Sequence, residues 1–349
     1  MKTGVLVLNF GEPEEPELDE VVPFLERIFI QNASLEGPKS AEEARERSRV
    51  LAEERAPGLV EEYQEIGGSP LNDQARMQSR ALEEELRSRG NDVRTYAGFQ
   101  FTSPTIRDAI EEARAAGTEL LVALPVYPIC GRSTTIAALE TVQETLAEME
   151  WEIPVREVTG WHRHPDYVPM HADTIRDYLH ENEVDLYSPG TALVFSVHGT
   201  PKKYVEDGPR YVEYAEELAL RIARELGVGD DYHIGYQNHG NRPIAWTEPD
   251  VEEVIQQIEA DRVVVMALSF MHEQSETLAE LDGDLREDAE GRDLDFYRVP
   301  VPHDSDRFIR VLADLVEPLL AQVPAFNDLQ LKRCLCRTTP YTFCLNAGS

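Results

Sequence analysis

The chain has 349 residues, 42% of them hydrophobic, and a formal net charge of −33. That length suits two domains of ordinary size, and no apolar run is long enough for a membrane-spanning helix. The charge argues against nucleic acid, whose phosphates would be repelled, and favours cationic ligands. Lysines are scarce (Lys2, Lys39, Lys202, Lys203 and Lys332) and arginines carry most of the positive charge. Acid-rich, lysine-poor surfaces also occur in proteins of salty cytoplasm, which is a competing cause of the acidity. The start Met1-Lys-Thr-Gly-Val-Leu leads into a strand rather than a signal peptide, so a soluble cytoplasmic protein is expected, with membrane contact at most peripheral.

In chain order, Val5–Phe10 reads as a strand and Glu17–Ile30 as an amphipathic helix. Ala41–Ile66 is a charged helical segment, broken at Pro57-Gly58. Leu71–Arg89 is a further helix ended by Gly90. Strands follow at Asp92–Phe101, Leu120–Tyr127 and Val155–Trp161. The helices between them begin at Ser103, a plausible N-cap with Pro104 at the first helical position, and span Ser133–Met149. A helix over Asp166–His180 closes this half. The order then repeats: strands at Leu193–Val197, Tyr232–Gln237, Arg262–Phe270 and Asp295–Val301, with helices at Val212–Leu226, Val251–Glu259, Glu276–Arg286 and Asp306–Gln322. This alternation predicts an α/β protein of two doubly wound domains with parallel sheets: residues 1–180, residues 181–325, and a cysteine-bearing tail over 326–349. No Gly-x-Gly-x-x-Gly follows a strand, so a dinucleotide site has no support.

The run Leu193–Val197 ends at His198-Gly199, which places an imidazole at the carboxyl end of a buried strand, where open α/β sheets bind ligands. The alternative is a core histidine satisfied at a strand end. A second candidate is Ser269–Asp282. Glu273, Glu276 and Glu280 are spaced to share one helix face, which is either solvated or a path for a cation. Both stretches end buried strands of one half, so they share one sheet edge. An imidazole beside a row of carboxylates can hold a divalent metal or accept protons.

These pieces resemble the ferrochelatase family nearly end to end. The resemblance rests on Val5-Leu-Val-Leu-Asn-Phe-Gly-Glu-Pro13, Ile66-Gly-Gly-Ser-Pro-Leu71, Tyr96-Ala-Gly-Phe99, Ser133-Thr-Thr135, Ser196-Val-His-Gly-Thr-Pro201, Tyr236-Gln237 with Trp246, and Glu276-Thr-Leu-Ala-Glu-Leu-Asp282. It implies two Rossmann-like domains with a porphyrin cleft between them, and insertion of Fe²⁺ into the porphyrin with release of two protons. It makes His198 and Glu276 the catalytic pair, contacting the metal or taking the pyrrole protons, with Glu280 continuing the acidic file as a further metal residue. Phe10, Phe24, Phe99, Gln100, Tyr127 and Trp246 would line the porphyrin site. Three departures stand out: Gln274 where the family often has histidine, Gln100 where it often has a basic residue, and the unmatched segment Asn238-His-Gly-Asn-Arg-Pro243. Arg132 and Arg242 are candidate propionate anchors.

The cysteines are Cys130, Cys334, Cys336 and Cys344. Four thiolates suit a [2Fe–2S] cluster or structural Zn²⁺, against three thiols on a frayed tail. One internal and three C-terminal cysteines resemble the ferrochelatases that carry a [2Fe–2S] cluster. The Leu8-Asn9-Phe10-Gly11 start resembles protoporphyrin-type enzymes, which makes protoporphyrin IX the favoured substrate. Coproporphyrin III is the alternative, from the cysteine pattern. A chelatase for another tetrapyrrole or metal and a non-catalytic tetrapyrrole or iron carrier are the other rivals. Expected partners are porphyrin, ferrous iron and, transiently, neighbouring enzymes of haem synthesis, with the chain a monomer or homodimer.

Overall fold

The apolar runs assemble into two sheets. In the computed structural model, which describes residues 2–37, 39–239, 244–321, 329, 331–337 and 339–346, the first sheet contains β1 (Thr3–Asn9), β2 (Val93–Phe99), β3 (Leu120–Pro125) and β4 (Val155–Thr159) in the order β2-β1-β3-β4. The second contains β5 (Thr191–His198), β6 (His233–Gln237), β7 (Arg262–Ala267) and β8 (Asp295–Val299) in the order β6-β5-β7-β8. All pairings among these eight strands are parallel. Every residue of β1 is buried, as is Leu193–Val197 of β5, because helices cover both faces of a parallel sheet. The two sheets share one continuous apolar core, from Val5 and Val122 to Phe195 and Met266. Helices are exchanged across it: Tyr167–Glu181 packs on Tyr211–Leu226, and Asp306–Val316 packs on Leu71–Ser88.

Four departures from the sequence reading have physical causes. The segment expected to break at Pro57-Gly58 is one helix, Ala41–Glu65; it buries Ala52, Ala56, Leu59 and Tyr63 and packs on the helix Leu18–Gln31, which outweighs the lost proline N–H. The cap of the next helix, Ile106–Ala115, is Thr105 rather than Ser103. The Thr105 hydroxyl accepts from the Asp108 N–H at 3.2 Å, and the Asp108 carboxylate accepts from the Thr105 N–H at 2.7 Å. Glu276–Leu285, expected as an α-helix, is a π-helix. The tail adds two short strands, β9 (Lys332–Arg333) and β10 (Thr342–Cys344); β10 lies parallel beside β4 and extends the first sheet.

His171 is an electrostatic liability in the core. It is fully buried and both ring nitrogens lack a partner among the described residues. Burial holds its imidazole down to about 3. The unfolded chain, with an ordinary imidazole near 6.5, therefore binds more protons between those values, so stability is complete above pH ~6.5 and falls as pH drops below it. Between pH 7 and 5 the loss from this residue is about 2 kcal/mol. His171→Leu is expected to flatten the dependence by that amount in urea titrations at the two pH values. A variant that keeps the wild-type slope would contradict this.

Candidate active site

His198 ends β5 and its backbone is clamped. Its N–H donates to the Ser269 hydroxyl at 2.8 Å, and its carbonyl accepts from the Tyr211 hydroxyl at 3.1 Å. The next residue must be glycine: a Cβ on Gly199 would lie 2.1 Å from Asn238 Oδ1 and 2.4 Å from the Gln237 carbonyl oxygen. That close approach brings the end of β6 against the end of β5. Gln237 then fixes the π-helix. Its amide donates to the Glu276 carbonyl and to Glu280 Oε2, both at 2.9 Å, while its Oε1 accepts from the Ser196 hydroxyl at 2.8 Å. The wider turn of a π-helix, a form concentrated at functional sites, stacks Glu280 behind Glu276.

The result is a tight group. His198 Nε2 lies 3.0 Å from Glu276 Oε1, and His239 Nε2 lies 3.2 Å from the same oxygen. The two Nε2 atoms are 3.4 Å apart, and His239 Nδ1 is 3.8 Å from Glu280 Oε1. Gln274 donates its amide to the other Glu276 oxygen. Burial opposes ionisation of Glu276, yet the His198 and His239 imidazoles hold its carboxyl well below the usual range. Burial likewise opposes protonation of His239, but contact with Glu276 and the charge of Glu280 leave it raised to about 9. Burial pushes Glu280 up to about 7. One site thus holds a firmly ionised carboxylate beside a second carboxyl, Glu280, that titrates near neutrality, as proton transfer requires.

His239 was missed in the sequence reading. The available signal was a histidine two residues past β6, on the sheet edge that carries His198. Glu273 was expected to head the acidic file and does not. It precedes the π-helix, and its Oε1 is bound by Arg298 at 2.5 Å and by the Val301 N–H at 2.8 Å, while Arg298 also pairs with Asp282. A different buried acid, Glu12, stands beside the site. It accepts from the Tyr63 hydroxyl at 3.0 Å, from the Ser275 hydroxyl at 2.5 Å and from the Ser69 hydroxyl, and burial raises its carboxyl above the usual value.

The group opens into a cleft of about 1070 Å³ whose lining includes Phe10, Phe24, Phe29, Phe101 and Trp246. The rings of Phe10, Phe24 and Phe101 meet edge to face, with centroids 4.6–6.4 Å apart. Of the residues expected to line it, Phe10, Phe24 and Trp246 do so, and Tyr127 lines an adjoining inner cavity with His198 and Glu276. Gln100 sits behind, accepting from the Tyr127 hydroxyl at 2.9 Å and donating to the Ser133 carbonyl at 3.1 Å. Phe99 is placed elsewhere: it is fully buried against Leu71 and Ala75, and Phe101 takes the cleft position. Arg132 is engaged with Glu140 at 2.7 Å, and Arg242 lies outside the described residues. A second cavity of about 1060 Å³ adjoins the cleft; it is acidic, lined by Glu62, Asp250, Glu252, Glu280 and Asp284, and shares His239 and Glu280 with the cleft.

Cys334 contacts Cys336 and Cys344, and Cys336 contacts Cys130. The pairing of β10 with β4 brings Cys344 beside that strand.

A histidine–carboxylate pair at the inner wall of an aromatic cleft, with an acidic cavity beside it, gives a two-sheet α/β protein the equipment of a metal chelatase. The comparisons agree. The ferrochelatase family profile matches residues 2–320. Ferrochelatases of Synechococcus sp. (strain RCC307) and Geotalea uraniireducens (strain Rf4) are 34% and 30% identical, over 92% and 90% of this chain and 83% and 97% of theirs. The chain belongs to the ferrochelatase family, the enzymes that insert iron into a porphyrin in haem biosynthesis. The structure of SirB from Bacillus subtilis with Fe³⁺ shares the fold alone, at 10% identity and a TM-score of 0.52 over 92% of this chain and 96% of that one. Among the described residues no helix is long and apolar enough to cross a membrane.

Proposed function

We propose that this ferrochelatase metallates protoporphyrin IX, held between an N-terminal unit (1–180) and a C-terminal unit (181–325), with His198 and Glu276 meeting the reacting atoms. The observation that carries the site assignment is the 3.0 Å contact between His198 Nε2 and Glu276 Oε1 at the cleft. Metallation exchanges two pyrrole N–H protons for one Fe²⁺. The imidazole beside the ionised Glu276 is placed to receive those protons, the carboxylate offsets the charge it gains, and Glu280, raised to about 7, passes them outward. The aromatic lining covers the macrocycle and excludes water.

Charge favours the dicarboxylate substrate. Among the described lining residues the cleft has one arginine, Arg55, already paired with Glu62 at 2.7 Å, and it carries Glu12, Glu276 and Glu280. Coproporphyrin III would add four carboxylates to that field, and protoporphyrin IX adds two. Turnover of the two porphyrins under anaerobic Fe²⁺ is the test. The expected result is a higher kcat/KM for protoporphyrin IX; the reverse order would overturn the substrate assignment, and turnover of neither would overturn the enzyme reading.

The cysteines fit a [2Fe–2S] cluster in their chemistry: four thiols from two distant stretches, with pairwise contacts that run from Cys130 to Cys336, to Cys334, to Cys344. We propose these four as its ligands. When bound, the cluster supplies a rigid thiolate cross-link between the tail and the loop after β3. The cytoplasm is the proposed site of action, with transient contact with neighbouring enzymes of haem synthesis and a monomeric or homodimeric state.

A further inference from the structure

The loop after β6 delivers a second imidazole to the Glu276 oxygen that His198 already meets. We propose that His239 is a third iron ligand, so that His198, His239 and Glu276 form a loading site that takes Fe²⁺ from the acidic cavity before porphyrin binds. The proposal rests on the chelatase reading of the same cleft. The three facing donor atoms form a triangle with edges of 3.0, 3.2 and 3.4 Å. On an ion with bonds of about 2.1 Å, neighbouring donors are about 3.0 Å apart in an octahedron and about 3.4 Å apart in a tetrahedron. One ion therefore caps this triangle without a backbone movement.

The donor set is the one that ferrous iron uses when it must keep coordination positions open: two imidazoles and one carboxylate on one face. Water fills the open positions at loading, and pyrrole nitrogens take them during insertion. The surroundings are arranged for this. Gln274 occupies the second Glu276 oxygen and leaves Oε1 to the ion. Arg298 engages Glu273 and Asp282, which removes two nearby carboxylates from competition. His239 lines both the cleft and the acidic cavity, and its other nitrogen faces Glu280 at 3.8 Å. A carboxylate behind the second nitrogen orients a ligating imidazole. When the ion moves into the macrocycle, one Fe²⁺ enters the porphyrin, two protons leave it, and the vacated side chains are there to take them.

The test uses Co²⁺ added anaerobically to the purified, porphyrin-free chain, read by d–d absorption. Thiolate-to-cobalt charge transfer marks any cobalt taken by the cysteines. The expected result is one Co²⁺ bound with nitrogen and oxygen ligands. His239→Gln is expected to weaken it at least about tenfold, since loss of even an outer partner of a ligand costs that much. It should also raise KM for Fe²⁺ by a larger factor than KM for porphyrin. His239→Cys should add a thiolate charge-transfer band to the same cobalt, which only a ligating position can do. Unchanged Co²⁺ affinity and Fe²⁺ KM in His239→Gln would overturn the proposal, as would wild type that inserts iron but takes no cobalt here without porphyrin. That last outcome leaves the chelatase reading standing. Cobalt bound through His239 in a chain that inserts no iron would sink the chelatase reading instead and keep the metal site.

Discussion

Glu276→Gln is expected to lower kcat for iron insertion by about 10²–10⁴-fold, the range that a positioned acid–base pair contributes, because the imidazole loses the carboxylate that stabilises its protonated form. The substitution keeps size and the capacity to bond Gln274, so the π-helix is retained. It removes the charge that holds His198 and His239 in place at 3.0 and 3.2 Å. Porphyrin binding, which depends on the aromatic lining, should change little. His198→Ala is expected to fall in the same range, and the double variant should be little worse than either single one, because residues that act as a unit are not additive. Insertion can be followed by loss of porphyrin fluorescence, and binding by its quenching without iron. Full kcat in either single variant would remove that residue from the mechanism.

The second large effect lies away from the cleft. Glu157 on β4 is buried at 1% exposure and is the anchor of the tail. Its carboxylate accepts from Arg337 at 2.6 and 2.9 Å, from the Thr342 hydroxyl at 2.5 Å and from Gln143 at 2.9 Å. Glu157→Ala strands the largely buried Arg337 guanidinium, a loss of about 3–5 kcal/mol for one partner of a buried pair. Beyond this anchor the tail is held by Leu331 and Phe343 in the shared core and by the buried Cys334 and Cys344, a small patch, so release of β9 and β10 is expected before global unfolding. Three of the four proposed cluster ligands leave with them. Limited proteolysis should then cut the tail, and the visible absorbance of the proposed cluster should fall. Glu157→Gln, which can still bond Thr342, should lie between. Wild-type protease resistance and absorbance in Glu157→Ala would contradict this account.

Legibility in the sequence followed the length of the signal. Strands of five to eight residues such as β1 and β5 are continuous apolar runs long enough to be read, and with the helices they fixed the fold class. The strands β9 and β10, two and three residues long, have no period to read. Glu276 and Glu280 were legible as a stacked pair, but α- and π-helices share side-chain spacing too closely for sequence to separate them. Glu273 was misplaced for a related reason: helical spacing was extended one turn beyond the true start. Phe99 and Phe101 lie two residues apart near the end of the expected strand, and only the bend after β2 sends Phe99 under the helix Leu71–Ser88 and Phe101 to the cleft. His239 and Glu12 depend on long-range approach. Glu12 meets Ser275 across 263 positions, which no local pattern encodes.

The pairing of β10 with β4 sets a timetable for the newborn chain. Thr342 joins Glu157 across 185 residues. At about 5–20 residues per second, a ribosome needs roughly 10–40 s to make that stretch. Throughout that time β4 is the bare edge of the first sheet, a template for any foreign strand. The first sheet is thus left unsealed while the second is being made. Slow codons or stalls between the two strands would prolong that exposure, and a loss of yield from them would have no counterpart in the stability of the finished molecule.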